Sequence, residues 1–479
     1  MSRPAPHSPL LRTALVYGLM IAAAVGAFLA IRARGAGLVA SLPAAQAGAS
    51  AGAAARDAGG LPHLLLALLV VILAARAVGW AFRRIGQPPV VGEVVAGILL
   101  GPSLLGRVAP EAWRFVLPAA VAPDLQVVAQ VGVILYMFVV GVELDPAHLR
   151  RSPHAALAIS HASILLPFVL GSALALVLYP LLATRDVPFT AFALFLGVSM
   201  SVTAFPVLAR ILTDRGMQTT PLGVLALTCA AVDDVTAWCL LAFLVSVVKG
   251  GGASPVATVL LTAAFIAAMV VAVRPVLVRV ARRVEASPAR TSSDAVALVL
   301  MLLLASALAT EAIGIHALFG AFLLGVVIPH ESRLARDLAD RIEDVVVVLL
   351  LPAFFAFSGM RTRIELVSGA QDWLVCGLIV LVACAGKFGG SALAARLAGL
   401  SWRSSSALGV LMNTRGLVEL IVLNVGLDLG VISPTLFAML IVMALVTTLA
   451  TSPLLVLLVA PQSMVASVGS PSKARPASS

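Results

Sequence analysis

Long apolar runs separated by short polar breaks follow one another from near the amino terminus to residue 460. About 20 apolar residues in a helix cross a hydrocarbon core of roughly 30 Å. Fourteen candidate spans of that kind fall at approximately 12–31, 62–82, 88–106, 125–144, 154–180, 189–212, 221–247, 255–280, 294–312, 315–329, 345–360, 371–395, 404–427 and 434–460. Their apolar positions are continuous rather than alternating. That pattern selects helices over a closed barrel, the two forms that satisfy every backbone polar group in lipid. An Ala/Gly-rich stretch at 33–60 reads as a flexible linker, and the Ser- and Pro-rich tail 461–479 reads as disordered and cytoplasmic. The expected organisation is therefore an extra amino-terminal span with its linker (1–61), a membrane domain (62–460) and a tail. Arg3 and Arg12 before the first span also fit a signal peptide, but Arg32 and Arg34 directly after it favour a retained helix.

Composition narrows the class. Only 11% of the 479 residues are charged and 61% are hydrophobic, against about 25% charged in a soluble domain. The net charge of +10 does not point to nucleic acid, because the arginines stand at span ends and form no dense cluster. With the amino terminus inside, the inner span ends carry roughly twice as many Lys and Arg as the outer ones, which places both termini in the cytoplasm of a multi-pass cell-membrane protein. Cys229, Cys239, Cys376 and Cys384 lie inside apolar segments without a CxxC pair, so neither disulfides nor a metal cluster is implied. Nothing calls for a cofactor.

The two halves resemble each other. Leu196-Gly-Val-Ser-Met200 in the sixth span matches Leu408-Gly-Val-Leu-Met412 in the thirteenth; Gly92 and Gly97 in the third match Gly320 and Gly325 in the tenth, each pair followed by a proline (Pro102, Pro329). An offset of seven spans is odd, so the second copy is inverted. Inverted repeats typify secondary carriers whose site lies near the midplane, between the repeats.

Charge inside a span is costly, about 2.5–3.5 kcal/mol per residue even on the lenient insertion scale. Charges well within spans are therefore the first candidates for function: Glu93, Asp233, Asp234, Lys387, Arg415 and Glu419. Asp233 and Asp234 stand mid-span in Thr228-Cys-Ala-Ala-Val-Asp-Asp-Val-Thr-Ala-Trp238. Neighbouring helical residues point about 100° apart, so one carboxylate can face a cavity while the other meets a neighbouring helix. A carboxylate that holds a proton in one exposure and a cation in the other is what exchange requires. Lys387 is too deep to snorkel, and one of the two aspartates is its expected partner. Ser199-Met-Ser-Val-Thr-Ala-Phe-Pro206 and Met412-Asn-Thr-Arg-Gly-Leu-Val-Glu419 occupy equivalent places and carry helix breakers, Pro206 and Gly416. Paired discontinuous helices point to a carrier site. Ser201 and Thr203 can lend oxygens to a cation there. Arg415 and Glu419, four apart, can pair on one face as charge balance. Glu93 either takes part or simply meets Gln87 or a backbone group.

Gly86-Gln-Pro-Pro-Val-Val-Gly-Glu-Val-Val-Ala-Gly-Ile-Leu-Leu-Gly-Pro-Ser-Leu-Leu-Gly106, Ser201-Val-Thr-Ala-Phe-Pro-Val-Leu-Ala-Arg210, Ala230-Ala-Val-Asp-Asp-Val235 and Asn413-Thr-Arg-Gly-Leu-Val-Glu419 resemble the second monovalent cation:proton antiporter family, which includes bacterial sodium/proton and potassium/proton exchangers and plant cation/proton exchangers. The resemblance runs from about 62 to 460. It implies an all-α, inverted-repeat antiporter fold of about thirteen core transmembrane helices, two of them discontinuous and crossing. Such proteins are usually homodimeric, with a mobile core beside a scaffold. It also implies that Asp234 is the main ligand of cation and proton, and that Asp233 pairs with Lys387, an arrangement associated with electrogenic exchange. Two departures are expected: the extra amino-terminal span, and no long nucleotide-binding domain of the kind that gates glutathione-regulated potassium efflux. The resulting expectation is exchange of Na+ or K+ for H+ by alternating access, not enzymatic chemistry. The transported cation is the only metal, at Asp234 and Asp233. The rival readings are a sodium-coupled organic anion carrier, with Arg415 facing the substrate, and a cation channel.

Overall fold

Proline marks where many of the helices begin. Pro89, Pro153, Pro221, Pro255 and Pro434 each occupy the first helical residue, where a missing N–H costs nothing. The computed structural model describes residues 9–43, 60–143, 153–249, 255–286 and 291–458. Every expected span is helical there. The order is α1 (Pro9–Gly35), α2 (Gly60–Arg84), α3 (Pro89–Leu100), α4 (Ala122–Glu143), α5 (Pro153–Leu182), the broken pair α6a (Phe189–Ser201) and α6b (Phe205–Asp214), and α7 (Pro221–Lys249). Then come α8 (Pro255–Ala268, continued by Arg274–Ala286), α9 (Ser293–Ile313), α10 (Ala317–Val327), α11 (Arg333–Val345, continued by Leu351–Arg361) and α12 (Gly369–Leu397). The broken pair α13a (Trp402–Met412) and α13b (Leu417–Asp428), and α14 (Pro434–Leu458), complete the bundle. Among the described residues, 12 helices are long and apolar enough to cross a membrane, and the pair α13a/α13b, bent by 45°, makes 13. This is a multi-pass membrane protein.

Several elements depart from the simple spans. α3 stops at Leu100, where Gly101 turns extended ahead of Pro102; Gly101 lies against Gly359, and a Cβ there would come within 2.4 Å of the carbonyl oxygen. α11 starts well before 345. Its first stretch, Arg333–Val345, is amphipathic rather than apolar, and Ser332 caps it by accepting from Ala335 N at 3.1 Å. Five-residue π-helical turns, Met269–Val273 and Val346–Leu350, interrupt α8 and α11. The start of the supposed flexible linker is tied down instead. Leu42 bridges Thr184, Ser41 Oγ donates to Pro180 O (2.5 Å), and Gly35 closes on the Phe189 ring. These ties, with Phe28 against Phe168 at 5.8 Å, hold α1 on α5 and α6a. The rest of the linker, 44–59, and the tail lie outside the described residues.

The repeat shows in matched contacts. α3 packs on α11 as α10 packs on α4, and α2 meets α3 as α9 meets α10. Glycines allow the two backbones to touch at both places: a Cβ on Gly97 would lie 2.2 Å from Phe355 O, and one on Gly141 2.2 Å from Phe322 O. Small residues at such crossings are how membrane helices associate when lipid removes the hydrophobic drive between them. Two bodies result. α2, α3, α4, α10 and α11 form one, and α5, α6, α7, α12, α13 and α14 form the other.

Leucine at Gly97 should therefore overpack that crossing and destabilise the protein by about 1–3 kcal/mol. Leucine at Gly377, which meets nothing within 4 Å, should be neutral. Thermal melts of the purified protein check this, and equal melting of both variants would contradict the glycine contact.

Candidate functional site

The two breaks meet at one point. Ala204 N donates to Thr414 O (3.0 Å), so the backbone of one interruption is bonded to the backbone of the other. Helix ends leave carbonyls without intrahelical partners, and cations from the second repeat supply those at the end of α6a. Arg415 Nη1 donates to Ser199 O (2.6 Å) and Nη2 to Met200 O (2.7 Å), while Lys387 Nζ donates to Ser201 O (2.6 Å). Positive charge at a helix carboxyl end is also favoured by the helix dipole.

α7 brings both aspartates to this junction near the middle of its 29 residues. Asp233 is fully buried and saturated. Its Oδ1 accepts from Ser160 Oγ (2.5 Å), and its Oδ2 accepts from Ser163 Oγ (2.6 Å), Thr203 Oγ1 (2.8 Å) and Lys387 Nζ (2.8 Å). Lys387 uses its remaining donors on Ser201 O, and on Ser163 O and Oγ at 3.0 and 3.1 Å. Nothing is left over on either side of this ion pair.

Asp234, one residue on, is the opposite. It is 1% exposed, yet neither carboxylate oxygen makes a hydrogen bond of ordinary geometry. The backbone donor acting on it is the Phe205 N–H, in the first turn of α6b, and the charges acting on it are Asp233 and Lys387. Tyr136 of α4, in the other body, lies within electrostatic reach of it. A bare carboxylate held away from water without a partner is strongly unfavourable. A proton or a cation there relieves that cost, and two such species compete for one place.

The other candidates fall around this centre. Thr203 joins it, and its hydroxyl also lies 3.2 Å from Met412 O. The Ser201 hydroxyl does not, since it turns to Gly197 O (2.7 Å) and Ile164 O (3.0 Å). Arg415 and Glu419 pair at 3.0 Å, both fully buried, with Ser199 Oγ donating to Glu419 at 2.7 Å. Glu93 is buried on α3, in the field of Arg76 and Arg83. It does not meet Gln87, whose amide donates to Leu449 O (3.1 Å) instead. Ser160 and Ser163 were not among the candidates. Their signal was two hydroxyls three apart on an apolar helix, and hydroxyls carry no burial cost large enough to stand out as the charges do.

Comparison with known proteins agrees with this architecture. The family described as "Sodium/hydrogen exchanger, transmembrane" matches residues 62–458. The chain is 46% identical over 398 residues to the Na(+)/H(+) antiporter NhaS4 of Synechocystis, covering 82% of this chain and 96% of that one. It is 40% identical to Cation/H(+) antiporter 19 of Arabidopsis thaliana (84% of this chain, 50% of that one) and 34% identical to K(+)/H(+) antiporter 1 of Saccharomyces cerevisiae (82% and 46%). It thus spans nearly all of the cyanobacterial relative and about half the length of the other two. The fold is shared with the sodium proton antiporter MjNhaP1 of Methanocaldococcus jannaschii, with a TM-score of 0.59 at 13% identity over 82% of this chain and 96% of that one. The chain belongs to the sodium/hydrogen exchanger family.

Proposed function

We propose that this protein exchanges a monovalent cation, Na+ or K+, for H+ across the membrane by alternating access. The observation that carries this reading is Asp234: a deeply buried carboxylate with no side-chain partner and only the Phe205 N–H acting on it, beside an aspartate that is fully paired. Either a proton or a cation neutralises it. The empty, charged carrier is disfavoured from crossing because its bare charge would be desolvated without compensation. The body containing α5, α6, α7, α12, α13 and α14 would carry the occupied site past the other, with Thr203 holding the break against Asp233. Asp233 and Lys387 form the supporting pair, and Arg415 with Glu419 keeps the ends of the broken helices neutral.

The sodium and potassium relatives support cation/proton exchange without choosing between the two ions. The arginine bias supports both termini on the cytoplasmic side of the cell membrane, and the family resemblance supports a homodimer. An organic anion carrier with Arg415 as its anchor is disfavoured. That guanidinium is fully buried and already donates to two carbonyls and to Glu419.

Two measurements test the reading. In proteoliposomes containing a pH dye, Asp234→Asn should abolish the proton flux that added Na+ or K+ drives, and near-normal exchange by that variant would overturn the assignment. Lys387→Met should leave Asp233 as an uncompensated buried charge and cost about 3–5 kcal/mol of stability. Adding Asp233→Asn should restore most of that loss in a thermal melt. A double variant no more stable than Lys387→Met alone would mean that the pair is not what holds the junction.

A further inference from the structure

Three arginines converge on a cavity away from the aspartates. Its volume is about 340 Å3, and it lies where the turn after α2 meets α6b and α14. Arg83 comes from the end of α2, Arg210 from α6b and Arg215 from just beyond it; Asp214, Gln87 and Ser452 also line the space. The positive-inside rule explains arginines at span ends, but not their gathering around one half-open cleft from two different bodies.

The charge here is unbalanced. Asp214 is the only carboxylate in the lining, and Arg210 Nε already holds it at 3.1 Å. Arg215 gives one N–H to Ser452 O (3.3 Å), and Arg83 makes no ion pair among the described residues. A guanidinium carries five N–H donors in a rigid fork, so most of the donors facing this space are uncommitted. Such a lining repels the transported cation and suits an anion. Forked donors fit phosphate oxygens two at a time, and basic pockets between membrane helices on the cytoplasmic side take phosphate headgroups.

We propose that this cavity binds a phosphate-bearing anion, from a lipid headgroup or from a small soluble phosphate, through Arg83, Arg210 and Arg215. Arg83 belongs to one body and the other two arginines to its neighbour, so the bound anion bridges them. It fixes their relative position and slows the movement that exchange depends on. The binding claim stands apart from the transport reading; only the slowing rests on it.

The test uses the full chain and the Arg83→Gln/Arg215→Gln variant. In the first arm, inorganic phosphate or short-chain phosphatidic acid is added to the purified protein and its thermal stabilisation is titrated. Binding should weaken about tenfold for each guanidinium removed. In the second arm, cation-driven proton flux is compared in vesicles of phosphatidylcholine alone, with phosphatidic acid included, and with phosphate enclosed. Flux of the natural chain should slow about fivefold with the active anion, while the variant keeps its own phosphatidylcholine rate. Response to phosphatidic acid alone identifies a lipid headgroup as the ligand, and response to both identifies the soluble phosphate as sufficient. No stabilisation by either, or equal stabilisation of the variant, overturns the site. Exchange missing in every vesicle while binding persists counts against the transport reading instead.

Discussion

An ionised group held away from water must find a partner, and inside a membrane helix bundle the partner has to come from another helix. That constraint organises the centre of this protein. Two cations, Lys387 and Arg415, enter an interior where each alone would be prohibitive, and each is met by a carboxylate and by carbonyls that a broken helix leaves open. The breaks and the buried charges therefore stabilise one another. An unbroken α6 would consume the carbonyls of Ser199, Met200 and Ser201, and both cations would lose acceptors. Asp234 is the exception that this arrangement permits, because its neighbour Asp233 and the cation Lys387 already satisfy each other.

The packing of the rest can be understood as support for that centre. Glycines at Gly97, Gly141, Gly325 and Gly359 draw α3, α4, α10 and α11 into backbone contact, giving a body that touches the site only across a seam. Nearly all of the core helix pair α6a/α6b is buried, whereas little of α8 and α9 is. Burial is thus concentrated on the helices that carry the breaks, and the peripheral helices present side chains to lipid. A seam between two well-packed bodies, rather than a soft interior, is where relative movement costs least.

Much of this was legible in the sequence because lipid makes both signals loud. Apolar runs marked each of the fourteen bundle helices, and charges inside those runs marked Asp233, Asp234, Lys387, Arg415 and Glu419. What stayed hidden follows the same logic in reverse. Ser160 and Ser163 are cheap to bury and so do not announce themselves. The amphipathic start of α11 carries too much charge to look like part of a span. The docking of Ser41 and Leu42 on the end of α5 rests on one hydroxyl and one main-chain bond, which leave no pattern in the sequence. Which aspartate pairs with Lys387 was also not readable from spacing, since two adjacent residues on one helix differ only in direction; the family resemblance named Asp233, and the geometry puts it there.

The junction has a consequence for how such a chain is made. Ser160, Ser163 and Asp233 belong to the first repeat, while Lys387, Arg415 and Thr448, whose hydroxyl bonds both the N–H and the carbonyl of Arg415, belong to the second. As a ribosome delivers the earlier helices, the carbonyl end of α6a and the side chain of Asp233 arrive long before the groups that complete them. Neither half can finish its own interior. Biogenesis must leave the early segments provisional, in contact with water, lipid headgroups or the insertion machinery, until α14 is synthesised and the whole closes in one late step.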